Sequence, residues 1–141
     1  MAKKDDINVK HSRFRDAIWY GVPKSIIIGG AGNIGSWVGL FLSRIGFDLW
    51  VYDNDNYEEV NIAGQFCRSK DVQTAKVIAL KELVQEFSGY QIQTFQERYI
   101  KESMVTPIMI AGFDNMASRK LMFENWCENE ERELFIDGRS S

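Results

Sequence analysis

The residues best suited to chemistry in this chain are three glycines, a few carboxylates and one lysine. Gly30-Ala31-Gly32-Asn33-Ile34-Gly35 is a complete G-x-G-x-x-G, and Asp53 stands 18 residues beyond its last glycine. In such a turn the first glycine permits the sharp reversal and the second lets backbone N–H groups approach phosphate oxygens. The third lets a helix lie close on the sheet. That helix offers the positive end of its dipole to an anion, and a carboxylate at the end of the next strand accepts ribose hydroxyls. The chemistry implied is nucleotide binding; the alternative is a nucleotide-type scaffold that has lost its ligand. Lys76 stands early in a predicted helix, where the dipole disfavours a cation. A neighbouring anion or a plain surface position would each account for it.

These groups need elements to hold them. Ser25-Ile26-Ile27-Ile28-Gly29 has the unbroken apolar character of a buried parallel strand, and Phe47 to Tyr52 repeats it before Asp53. Between them, Ser36 to Ile45 reads as a helix. Ile34, Trp37, Val38, Phe41, Leu42 and Ile45 form its apolar stripe, so Trp37 and Phe41 are expected in the core. Residues 54–70 make a long polar connection, a length often tied to function in a compact α/β unit. Asp71 to Phe87 is expected as the next helix, capped by Ser69 or Asp71, which puts Lys76 one turn inside it. Gln91 to Tyr99 reads as a polar strand near the sheet edge, and the run from Val105 to Ala111 as a strand beginning at or just after Pro107. Met116 to Asn129 reads as a helix burying Leu121, Met122, Trp126 and Cys127, and Leu134 to Ile136 as a last short strand. Upstream, residues 1–12 read as polar and mobile, Arg13 and Arg15 as a charged arm, and Ile18-Trp19-Tyr20 as part of a short helix. Gly21-Val22-Pro23 marks the break before the first strand.

Alternating strands and helices predict a doubly wound, mainly parallel Rossmann-like α/β sheet with helices on both faces. Ligands in such sheets sit beyond the carboxyl ends of the strands. Gly30 to Gly35, Asp53, the start of the long loop and Asp114 all fall there. A chain of 141 residues makes one domain, 23–141, preceded by an arm, 1–22. A net charge of −3 argues against a general nucleic-acid or anionic-membrane binder. No apolar run approaches the roughly 18 residues of a bilayer span, and Met1 to Asp6 lacks the apolar centre of a signal peptide. The expected location is therefore cytoplasmic. Cys67 and Cys127 form no C-x-x-C pair and are expected to be structural rather than metal-binding.

One series of motifs is more specific than the glycine turn alone. Gly30 to Ser36, Asp53-Asn54-Asp55, Val60-Asn61-Ile62-Ala63-Gly64-Gln65, Lys76 and Asp114-Asn115-Met116-Ala117-Ser118-Arg119 follow one another at set intervals. The series resembles the adenylating domain of the ThiF/MoeB/HesA group, related to ubiquitin-activating enzymes, over Ser25 to Arg139. The group's pattern is a glycine turn, D-x-D, N-x-x-R-Q, a helix lysine, then D-N-x-x-x-R. The resemblance implies binding of Mg-ATP and activation of a C-terminal carboxylate as an acyl-adenylate. The acyl substrate it implies is a ubiquitin-like protein, a small carrier protein or a peptide, and the assembly a homodimer or pseudo-dimer. It further implies that Asp53 holds the ribose, that Asp55 lies near nucleotide and metal, and that Asn61 and Lys76 contact phosphates. Asp114 would help place Mg²⁺, and Lys76, Asp114 and Asn61 would be the catalytic set. Gly30, Gly32, Asn33, Gly35, Gln65 and Asn115 would complete the nucleotide site.

Two departures from the pattern matter. The arginine of N-x-x-R-Q is Gly64 here, and Arg68 would replace it only with a rearranged loop. The group's domain also runs on beyond the length of this chain, into a segment that often carries a catalytic cysteine. Two other readings therefore stand beside adenylation. One is a non-catalytic partner or scaffold subunit. The other is an NAD-dependent oxidoreductase, which leaves the later motifs unexplained.

Overall fold

An unbroken apolar strand is stable only when both of its faces are covered. The strand β1 (Ser25–Gly29) meets that condition at the middle of a five-stranded parallel sheet. The structure, a computed structural model, describes residues 9–21 and 24–139. The expected polar start over 1–8, the break at Val22-Pro23 and the last two residues lie outside the described residues. Beside β1 are β2 (Asp48–Tyr52), β3 (Gln93–Phe95), β4 (Ile108–Ala111) and β5 (Leu134–Asp137), in the order β3-β2-β1-β4-β5. Ile28 of β1 pairs with Val51 on one side and Ile110 on the other.

The three helices are α1 (Gly35–Arg44), α2 (Lys76–Ser88) and α3 (Met116–Glu128). Alternate residues of β1 point to opposite faces. Ile26 and Ile28 join Leu49, Val51 and Ile110 under Val77, Leu80 and Val84 of α2 and Val38 and Leu42 of α1. Ile27 joins Tyr52, Met109 and Ala111 under Met122 and Trp126 of α3. The winding reverses between β1 and β4, so the carboxyl ends of those two strands flank a crevice. The expected doubly wound α/β sheet with helices on both faces is the fold.

Several local expectations are corrected. Trp37 and Phe41 are not core: they are 39% and 58% exposed. The helix instead buries Gly35, Ser36, Gly39, Leu40 and Ser43: Gly35 packs on the Gly30 carbonyl and Gly39 against Leu80 of α2. Trp37 supports the long connection from outside. Its indole N–H donates to the Gly64 carbonyl at 2.9 Å and its ring lies 4.9 Å from that of Phe66. Helix α2 begins at Lys76 rather than Asp71, and neither Ser69 nor Asp71 caps it. Tyr57 and Asn56 form bridges to Val72 and Ala75, Gln73 has φ +68°, and residues 71–75 are thereby held outside the helix.

The edge strand β3 keeps three residues of the expected nine because only β2 pairs with it. On α3, Cys127 is exposed, and Arg119 and Asn125 are buried beside Met122 instead. In the arm, Ser12–Phe14 forms a 3₁₀ turn, while Ile18 to Tyr20 form turns rather than helix, with Ile18 fully exposed. His11 was expected in a mobile stretch. It is buried, 2.9 Å from the Tyr90 hydroxyl and 3.4 Å from that of Tyr20.

Candidate nucleotide site at the carboxyl edge

The site starts from backbone geometry that only glycine supports. Gly30 has φ +94°, and its N–H donates to the Tyr52 carbonyl at 2.7 Å. A Cβ on Gly35 would stand 1.6 Å from the Gly30 carbonyl oxygen, so the third glycine is fixed by packing against the first. Gly32 is the opposite case. A Cβ there would meet nothing closer than the Gln65 side chain, at 3.9 Å. Its outer side is open, and the N–H groups of Gly32, Asn33 and Ile34 find no acceptor among the described residues.

Two residues brace this turn from below. Asp53 is 8% exposed; its carboxylate accepts the N–H of Ala31 and of Asp55, each at 2.8 Å. Burial pushes its pKa above the ordinary carboxylate value, against the opposing pull of those two amides and of Lys76. Each oxygen retains a lone pair toward the cleft. Tyr57 is wholly buried, with its hydroxyl 3.3 Å from the Ala31 carbonyl and 3.5 Å from that of Phe66. Desolvation raises the phenol's pKa and holds it neutral. Sequence reasoning missed this residue; the available signal was a single aromatic in the polar run 53–59.

Charge enters from three other elements. Lys76 is the first residue of α2, its backbone N–H donating to the Asp55 carbonyl at 2.9 Å. Its side chain is nearly buried, at 8% exposure, with Nζ 5.7 Å from the centre of the Tyr57 ring. No carboxylate lies within 4.0 Å of it among the described residues. Asp114 is exposed just beyond β4, before Asn115, which caps α3 by accepting the Ser118 N–H at 3.0 Å. One cleft is lined by Gly30, Gly32, Asp53, Asp55, Lys76, Asp114 and Asn115. Arg98, Tyr99, Phe113 and Ser118 line it too, and the motif series did not point to them.

The other expected site residues lie elsewhere. Asn61 closes a 3₁₀ turn by accepting the Glu58 N–H at 2.8 Å, and so it serves the loop. Asn33 turns toward the connection: a Cβ on Gly64 would meet its Oδ1 at 2.8 Å. Gln65 sits behind the turn with its side-chain oxygen buried and unpartnered. Gly35 acts through packing alone. Arg68 is no stand-in for the missing loop arginine. It pairs with Asp71 through Nε and Nη2, at 2.9 and 2.8 Å, and with Glu82 at 2.8 Å. Arg119 is buried and pairs with Asp137, tying α3 to the end of β5. Burial pushes the Cys67 thiol up, the opposite of what an activated nucleophile needs. No group of three metal-ligating side chains occurs among the described residues. No helix among them is long and apolar enough to cross a membrane.

The comparisons with known proteins bear on the family and the fold. The sequence pattern of the ThiF family matches residues 23–138. No curated protein sequence matches the chain. Among solved structures, E. coli tRNA N6-threonylcarbamoyladenosine dehydratase, TcdA, in complex with ATP superposes with a TM-score of 0.81 at 16% identity, over 97% of this chain and 61% of that one. E. coli MccB with ATP gives 0.70 at 16% identity, over 93% and 38%. PaaA gives 0.64 at 22%, over 83% and 36%. The chain thus spans about three-fifths or less of each of these structures.

Proposed function

This chain belongs to the ThiF family, and from that premise we propose that it binds ATP along the carboxyl edge of its sheet and adenylates a carboxylate. The observation that carries the reading is the pairing of Lys76 with the glycine turn. A nearly buried ammonium at a helix N-terminus, with no carboxylate within 4.0 Å among the described residues, lines the same cleft as Gly32, whose amide has no acceptor there. A polyphosphate satisfies both at once. In the proposed reaction a carboxylate oxygen attacks the α-phosphorus. The bond to the bridging oxygen breaks, and pyrophosphate leaves with that bond's electron pair. No side chain need remove a proton, so the protein's part is alignment and neutralisation of charge. Lys76 and the amides of Gly32 and Asn33 would hold the phosphates, and Asp53 would receive the ribose through its free lone pairs.

The donor set also fits Mg²⁺ held jointly with the nucleotide. Asp114 alone makes no cage, but magnesium is commonly bound by one or two carboxylates plus substrate phosphates. When bound, the ion would neutralise phosphate charge beside Asp114, with Asp55 at the same cleft. We propose as acyl substrate the C-terminal carboxylate of a ubiquitin-like protein, small carrier protein or peptide, on the strength of the family motifs. A homodimer is proposed on the same ground. The scaffold reading draws support from Gly64 and from the diversion of Arg68 into ion pairs.

Isothermal calorimetry with ATP and Mg²⁺, with NAD as control, tests the assignment. Binding of ATP that is lost in Lys76→Ala and weakened in Asp114→Ala supports it. Preference for NAD would turn the reading to an oxidoreductase, and binding of neither would favour the scaffold.

A further inference from the structure

The strand order dictates how a nucleotide would lie in this cleft. Across the sheet the carboxyl ends run β3, β2, β1, β4, about 4.8 Å apart. The glycine turn follows β1 and Asp53 follows β2. With phosphates over β1 and ribose at β2, the base must extend away from the phosphates, toward β3. Two cleft residues follow β3, Arg98 and Tyr99; Tyr99 is buried, which leaves the exposed Arg98 as the side chain available to a base.

Its backbone is well anchored. The preceding segment is pinned by the Asp53 N–H donating to the Phe95 carbonyl at 3.1 Å. The next residue, Tyr99, is 2% exposed and packs edge-on to Tyr52 with ring centres 5.3 Å apart. The Tyr99 hydroxyl donates to the Met104 carbonyl at 2.9 Å and accepts from Asn125 at 3.2 Å. Among the described residues no carboxylate lies within 4.0 Å of the Arg98 guanidinium. Arg98 and Lys76 are the two cationic side chains lining the cleft. Of these, Lys76 opens α2 with Nζ near the Tyr57 ring, and Arg98 follows β3, two strands away from β1 and its glycine turn.

We propose that Arg98 forms the base-side wall of the site and selects a purine nucleotide by laying its planar guanidinium over the ring. The inference rests on the ATP reading above. Guanidinium groups stack on aromatic faces through both cation–π attraction and planarity, which an ammonium cannot reproduce. A purine offers the larger face, so the contact discriminates ATP from CTP.

Calorimetry of the full chain with ATP, CTP and inorganic tripolyphosphate tests this, using the unaltered protein, Arg98→Ala and Arg98→Lys. Arg98→Ala is expected to weaken ATP roughly fivefold, to narrow the ATP-to-CTP ratio, and to leave tripolyphosphate unchanged. Arg98→Lys is expected to recover little. The thermal midpoint should hold in both variants, because Arg98 is exposed. Equal losses for all three ligands, or full recovery by lysine, would make Arg98 a phosphate ligand and overturn the inference. So would unchanged ATP affinity in Arg98→Ala. Lys76→Ala, measured in parallel, separates the two readings. If it abolishes ATP binding while Arg98→Ala does nothing, the inference fails and the adenylation reading stands. If the unaltered chain binds no ATP, that reading fails and takes the inference with it.

Discussion

The cleft and the long connection beside it are built from similar residues and use them in opposite ways. In the connection, the buried Gln65 Oε1 apart, the polar groups named are spent on neighbours: Asn61 on the Glu58 amide, Arg68 on Asp71 and Glu82. In the cleft the amides of Gly32, Asn33 and Ile34 have no acceptor, and Lys76 and Arg98 no carboxylate within 4.0 Å, among the described residues. An unpaired, partly buried polar group costs free energy, so a fold that retains several at one edge gains from them when a ligand arrives. Residue type alone does not separate the two sets. Partnering does.

The comparison can be broken most severely at the turn itself. Gly35→Ala drives a methyl into the Gly30 carbonyl and should cost about 3 kcal/mol or more, read as a fall in the urea midpoint with loss of ATP binding. Lys76→Ala comes next. Removing a charged hydrogen-bond donor to phosphate should weaken ATP on the order of 100-fold. Stability should hold or rise slightly, because a cation leaves a helix N-terminus. A thermal midpoint that falls together with affinity would show Lys76 to be structural instead.

Arg68→Ala is the mirror experiment. It should leave ATP affinity unchanged and cost about 2 kcal/mol of stability, since Asp71 is buried. Burial alone would raise the Asp71 carboxyl, but the Arg68 guanidinium and amide outweigh it and hold it below its ordinary value. The sign follows from linkage. That contribution is complete above the unfolded carboxylate pKa, about 4, and is lost as pH falls through the lower native one. Urea midpoints measured from neutral pH into that range should fall for the parent and flatten for the variant. Tyr57→Phe is the smallest change. Losing the hydroxyl that reaches the Ala31 and Phe66 carbonyls should cost about 1 kcal/mol, with a modest loss of ATP affinity through the loosened turn.

The same contrast explains which parts of the molecule were legible in the sequence. The run from β1 through the glycine turn and α1 to Asp53 follows local rules, and the structure keeps it within a residue or two. The place of Asp53 at the carboxyl edge, in the cleft, was legible, though not its part as the brace that holds the Ala31 and Asp55 amides. The start of α2 was not legible. Residues 71–75 have helix-compatible types, and what holds them out is tertiary: the Tyr57 and Asn56 bridges and the Arg68–Asp71 pair. Trp37 misled because an apolar stripe does not reveal that the small residues Gly39 and Ser43 take the buried side of the helix. Arg98 was hidden because it lies three residues past a short edge strand, and only the sheet order brings it beside Asp53.

The most direct measurement is a ¹H–¹⁵N spectrum of the full chain titrated with ATP and Mg²⁺. If the unpartnered groups form the site, the amide resonances of Gly32 and Asn33 will move with saturating dependence on ATP, while those of Arg68 to Asp71 stay in place. Saturation accompanied by shifts around Arg68 and none at the glycine turn would contradict the account, as would no shift at either.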